Sequence, residues 1–261
     1  MIHTRLIYVL ALAILAAMPA RAEPPLRGSL VPAPPAADGT PMAGLRLDLE
    51  PGWKTYWRIP GEAGIPPRFD WSASENLKGV RIHWPRPILF TQNGMRSLGY
   101  EEKVVLPLEL TPANPDAPMH LRLRIGMGVC KEICMPLTLE LSARIPADTP
   151  PAALNAWMAR RPLPAGAAHV KGVKCALSPA RTGLRLTAEI EMPSLGGQET
   201  AIFELRGAGA WLSDSPTRRT GNRLSAGADL SGDTLIVDRS ALRITVLGND
   251  TAVEILGCSG G

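Results

Sequence analysis

No apolar stretch in this 261-residue chain reaches the roughly 20 residues that a membrane-spanning helix needs. The longest unbroken one runs from Leu6 to Met18, only 13 residues, next to the N-terminus. His3 and Arg5 precede it, and Pro19-Ala20-Arg21-Ala22 closes it with small residues just before Glu23. A basic start, a short apolar run and a small-residue site read as a secretory signal peptide over residues 1–22, cleaved after Ala22. Farther along, charged residues interrupt every apolar run. The mature chain is therefore expected outside the reducing cytosol and not embedded in a membrane. An excess of one charge is also missing. The chain carries a formal +4, and loss of Arg5 and Arg21 with the signal leaves 26 basic against 24 acidic residues. That balance argues against a nucleic-acid partner.

Familiar catalytic signatures are missing too. There is no Gly-x-Ser-x-Gly elbow, no Gly-rich phosphate loop and no His-Glu-x-x-His helix. The Cys-x-x-Cys of a thioredoxin-type site does not occur. His83, His120 and His169 stand alone, without the spacing of a zinc site. No internal repeat relates the two halves.

What is present is turn chemistry and alternation. The chain has 26 Pro and 25 Gly, while 45% of its residues are apolar, enough for packed cores. Leu45, Leu47 and Leu49 alternate with Arg46, Asp48 and Glu50. The longest case runs through Leu121, Leu123, Ile125, Met127 and Val129, and Leu137, Leu139 and Leu141 follow it. Period-two patterning means strands with one buried face. Strands without intervening helices predict an all-β chain built from antiparallel sandwiches. Residues 151–160 are the one helix candidate, with Thr149 as its cap and Pro151 in its first turn. A second alternating region includes Leu184, Leu186, Ala188 and Ile190, then Leu242, Ile244 and Val246. Between them, Ser213 to Ala228 reads as a polar loop. The expected layout is a first sandwich over 23–146, a linker with a short helix over 147–166, and a second sandwich over 167–261.

Four cysteines survive signal cleavage: Cys130, Cys134, Cys175 and Cys258. Four allow three pairings. Spacing favours a local Cys130–Cys134 pair and a long-range Cys175–Cys258 pair. On the chain-entropy model, a bridge closing about five residues stabilises by roughly 2 kcal/mol and one closing about 84 by roughly 4.5 kcal/mol. Cys175–Cys258 is thus the structural staple. Cys130–Cys134 is a weak staple between two strands, where a second protein's thiolate can reach it. Exchange there needs in-line attack on one sulfur. A plain hairpin pin is the bland alternative, which would make the chain a non-enzymatic interaction module with structural disulfides only. A third reading is Cu(I) binding for copper tolerance, because Met127, Cys130, Cys134 and Met135 are soft sulfur ligands in one run.

The segment Gly52-Trp53-Lys54-Thr55-Tyr56-Trp57-Arg58-Ile59-Pro60-Gly61-Glu62-Ala63-Gly64-Ile65-Pro66-Pro67 resembles the N-terminal periplasmic domain of DsbD-like protein-disulfide reductases, in the ScsB-like branch. Trp84-Pro85-Arg86-Pro87, the stretch from Gly99-Tyr100 to Leu106-Pro107, and Cys130 to Pro136 follow in the family's order. The resemblance spans about 40–146. It implies an immunoglobulin-like fold, a periplasmic location and thiol–disulfide oxidoreductase activity without a cofactor. It also implies two kinds of partner. A membrane thiol–disulfide reductase of the DsbD/CcdA type donates electrons, and periplasmic thioredoxin-like or client proteins receive them. Carried over by motif position, Cys134 forms the mixed disulfide and Cys130 resolves it. The resemblance further implies a cap loop with a shielding aromatic, for which Phe90 and Tyr100 are the candidates. Two features depart from the best-known members. Three residues separate the cysteines instead of five, and the sequence carries neither the fused membrane domain nor the thioredoxin-like domain of those members.

Overall fold

The computed structural model describes residues 23–92, 94–146, 153–181, 183–205, 211–212, 217–231 and 237–260. The signal-peptide reading of residues 1–22 and the Thr149 cap lie outside these residues. Alternating apolar residues form strands as expected. The first half of the chain holds β1 (Leu26–Ala33), β2 (Met42–Leu49), β3 (Lys54–Gly61), β4 (Arg68–Asp70), β5 (Leu77–Ile82), β6 (Ile88–Gln92), β7 (Met95–Glu101), β8 (Lys103–Pro112), β9 (Met119–Cys130) and β10 (Cys134–Ile145). Two sheets result, one in the order β1-β2-β8-β5 and the other β10-β9-β3-β7-β6, with β4 also on β9. They close on a core of Leu45, Leu106, Leu108, Leu121, Leu123, Ile125 and the fully buried Trp57. This is an immunoglobulin-like sandwich. Trp53, Trp71 and Trp84 pack against its core.

Helix α1 covers only Asn155–Met158, shorter than the stretch the sequence suggests. Leu154 stands at its N-cap, without a side-chain hydrogen bond. Leu154 and the helix residue Trp157 pack against Met42 and Val105 of the first sandwich.

Strands β11 (Leu163–Pro164), β12 (Gly172–Pro179), β13 (Leu184–Glu191), β14 (Thr200–Leu205), β15 (Trp211–Leu212), β16 (Arg218–Thr220), β17 (Arg223–Ser231), β18 (Leu242–Leu247), β19 (Ala252–Leu256) and β20 (Ser259–Gly260) build a second pair of sheets. Their orders are β11-β19-β18-β14 and β15-β17-β13-β12-β20, with β16 on β17. The stretch read from sequence as a loop up to Ala228 thus contains two strands. Gly221, at φ 56°, and Asn222 turn the chain between Thr220 and its register partner Arg223. Leu224, Ala226, Ala228 and Leu230 then alternate as buried residues on β17.

The two sandwiches share a packed boundary. Ile202 of β14, Leu247 of β18 and Ala252 of β19 belong to the apolar cluster of the first sandwich. No helix among the described residues is long and apolar enough to cross a membrane.

Candidate functional site

Strand β9 sends its odd-numbered residues into the core, so Met127 and Val129 are buried there. Gly126, Gly128 and Cys130 fall on the opposite face, because side chains alternate along a strand. β9 and β10 form a hairpin in which Cys134 is the direct register partner of Cys130. Lys131, Glu132 and Ile133 make the exposed turn, Ile133 being 76% exposed. Register partners stand close enough for a bond, and Cys130 and Cys134 are joined as a disulfide.

The site is completed from two other strands. On β3, Trp57 enters the core and its neighbour Tyr56 turns to the cysteine face. The Tyr56 ring is wedged between two glycines. A Cβ on Gly128 would lie 2.8 Å from Cε2 of that ring, and one on Gly64 2.6 Å from its Cδ1. Only hydrogen at these positions lets the ring approach. Tyr56 Oη then donates to Cys134 Sγ at 2.9 Å. Burial holds the Tyr56 phenol above its ordinary range, so it keeps its proton.

The β6–β7 hairpin supplies the cover. Gln92 Nε2 donates to Cys130 Sγ at 2.8 Å and to the Lys131 carbonyl at 3.2 Å, while its Oε1 stands 3.9 Å from Cys134 Sγ. Phe90 stacks on Tyr56 with centroids 6.2 Å apart, and Lys54 Nζ lies 5.6 Å from the Phe90 centroid. Lys54 is also the register partner of Cys130 on β3. Cys130 is left 1% exposed. Cys134 is half-buried.

Two residues that the sequence brought forward lie elsewhere. Tyr100, a cap candidate, is buried in the core and donates to the Pro85 carbonyl at 2.8 Å. Its place on β7 puts it on the core face with Leu98. Met127, a candidate Cu(I) ligand, is buried on the core side of β9, and its Sδ accepts from Thr55 Oγ1 at 3.7 Å. It therefore points away from Cys130, whereas Met135 is exposed on β10. Sequence reasoning missed Gln92 and the contact of Tyr56. The glycine run on the outer face of β9 was the available signal for a ring lying there.

The other pair, Cys175 on β12 and Cys258 beyond β19, is bonded across 83 positions. Cys175 is wholly buried in the second core.

The first sandwich thus carries a disulfide at one hairpin tip, under a second hairpin. Residues 27–145 match the family model described as "Thiol:disulfide interchange protein DsbD, N-terminal", and this segment is a domain of the DsbD N-terminal type. Among solved structures, the fold resembles the crystal structure of the N-terminal periplasmic domain of ScsB from Proteus mirabilis. The TM-score is 0.66 at 23% identity, covering 90% of this chain and 92% of that one. At that identity the likeness is one of fold, and it extends over both sandwiches. No curated protein matches the chain.

Proposed function

We propose that this chain is a periplasmic protein that passes electrons from a membrane reductase to protein disulfides through Cys130 and Cys134. The observation that carries the reading is that each sulfur has its own hydrogen-bond donor, Gln92 Nε2 for Cys130 and Tyr56 Oη for Cys134. A donor aimed at sulfur favours the thiolate, which is both the attacking and the leaving form in exchange.

In the reduced chain, the Cys134 thiolate attacks one sulfur of a client disulfide. A mixed disulfide forms and the client's other sulfur leaves as a thiolate. Cys130, deprotonated, then attacks Cys134 Sγ. The second client sulfur departs, the client is a dithiol, and Cys130–Cys134 is a disulfide. Two electrons have moved to the client. A dithiol on the membrane partner reverses these steps to recharge the pair. The order follows exposure, since Cys134 is half-buried and Cys130 nearly closed off. Gln92 and Phe90 form the shield that a partner displaces.

The Cu(I) reading has less support, because Met127 is committed to the core and to Thr55. A redox titration tests the proposal. Purified protein is equilibrated across a glutathione series, its thiols are trapped and weighed, and near-ultraviolet circular dichroism is followed in parallel. One disulfide should reduce with the tertiary signal intact, and Cys130→Ser should remove that transition. If both disulfides persist until the fold is lost, the chain is an interaction module and the exchange reading fails.

A further inference from the structure

The hairpin that covers the disulfide has two faces. Phe90 and Gln92 occupy one, and with them their register partners Ser97 and Met95. Thr91 and its partner Arg96 occupy the other, one residue pair from the tip. Arg96 is clamped at the backbone by Glu62, which donates its N–H to the Arg96 carbonyl at 2.9 Å and accepts from the Arg96 N–H at 2.8 Å. The Arg96 guanidinium reaches the second sandwich. Nη2 donates at 3.2 Å to Thr200 Oγ1, a buried hydroxyl on β14 of the second sandwich.

Two more guanidiniums around this hairpin cross the same boundary. Arg86, two residues before β6, donates to the Asn249 carbonyl at 2.7 Å. Arg58 on β3, two residues beyond Tyr56, lies 3.7 Å from the centre of the Trp57 ring. It donates to Glu204 at 2.8 Å, Glu254 at 3.0 Å and Thr245 Oγ1 at 3.2 Å. Arg243 joins the same two carboxylates at 3.6 and 3.4 Å. The charges balance, and both Arg58 and Glu204 are largely shielded from water.

From this juxtaposition we propose that the second sandwich is a strut that sets the reactivity of the Cys130–Cys134 disulfide by holding the β6–β7 hairpin closed over it. Thr200 is a positioning residue in this arrangement. It touches neither sulfur and acts through Arg96, whose hairpin carries Gln92. The exchange chemistry of the previous section is assumed, and the strut adds its control.

The test compares Thr200→Val, which keeps the shape and loses the acceptor, with Thr200→Ser, which keeps the hydroxyl. Both are measured for the rate of Cys130–Cys134 reduction by dithiothreitol, for amide exchange over residues 88–98, and for thermal midpoint. Thr200→Val should react about threefold to tenfold faster, the shift in open population expected from one lost hydrogen bond. Its hairpin amides should exchange faster with the midpoint little changed, and Thr200→Ser should behave as wild type. Asp229→Asn, in an exposed pair with Arg185, is the control and should match wild type. Should Thr200→Val destabilise the fold, Arg96→Met removes that contact from the other side and must give at least the same acceleration. A reactive wild type with unaltered rates in both variants overturns the strut alone. A wild-type disulfide inert until unfolding overturns the exchange reading and the strut with it.

Discussion

Gln92 and Tyr56 divide the two sulfurs between them, and each can be removed without touching a cysteine. Gln92→Ala takes away the donor to Cys130 and part of its cover. Losing the donor should raise the Cys130 thiol pKa, while losing the cover opens access. At a matched thiolate fraction the reduced pair of that variant should therefore react with a small oxidant several-fold faster, at about the cost of one hydrogen bond in stability. Tyr56→Phe keeps the ring between its glycines and deletes only the hydroxyl. It should raise the Cys134 thiol pKa, read from the pH dependence of alkylation, while Phe90→Ala should act on access alone. Identical alkylation profiles for wild type and Tyr56→Phe would remove the phenol from the chemistry. The cysteines themselves were plain in the sequence, because chemistry-bearing residue types announce themselves, whereas Phe90 came forward only through the family resemblance. Gln92 was not. It meets its sulfur across a separation of 38 residues, and only strand register sets that distance.

Among the elements, the long leucine alternations on β9 and β10 were legible because each inward residue is large. β17 was not, since its inward face includes Ala226 and Ala228, whose small side chains give a weak hydrophobic period. The segment between β5 and β6 offers a test of its own. His83 Nε2 faces Glu109 Oε2 at 3.0 Å and Nδ1 faces Arg161 at 3.0 Å, a contact that ties the chain beyond α1 to the first sandwich. Burial outweighs Glu109 and, helped by the Arg161 charge, holds the imidazole below its ordinary range. The neutral ring accepts from Arg161 and donates to Glu109. The unfolded chain therefore binds a proton here that the folded chain refuses. This stabilisation is complete above about pH 6.5 and is lost as pH falls from there through the folded pKa. Urea midpoints should drop between pH 7.5 and 5.5, and His83→Gln should flatten that slope. An equal slope in both proteins would show that other groups govern it.

On the scale of the whole molecule, two sandwiches could be anticipated from two runs of alternation, but not that they meet across a packed apolar boundary. Ile202, Leu247 and Ala252 pack on the first sandwich although each is separated from it by a long stretch of chain. The staple in the second half is measurable. Replacing Cys175 and Cys258 together with Ser should cost roughly 3–5 kcal/mol by the loop-closure argument, more than Cys130→Ser with Cys134→Ser. Equal losses for the two double variants would contradict the division of labour between the pairs. The spacing of those pairs also bears on oxidative folding. In an exported chain the thiols meet an oxidant only after translocation, when all four are present. Cys130 and Cys134, four positions apart, then encounter each other far more often than either encounters Cys175 or Cys258, because the cost of closing a loop grows with its length. Their early bond leaves Cys175 and Cys258 to each other across 83 positions. The native pairing is the one that proximity along the chain favours.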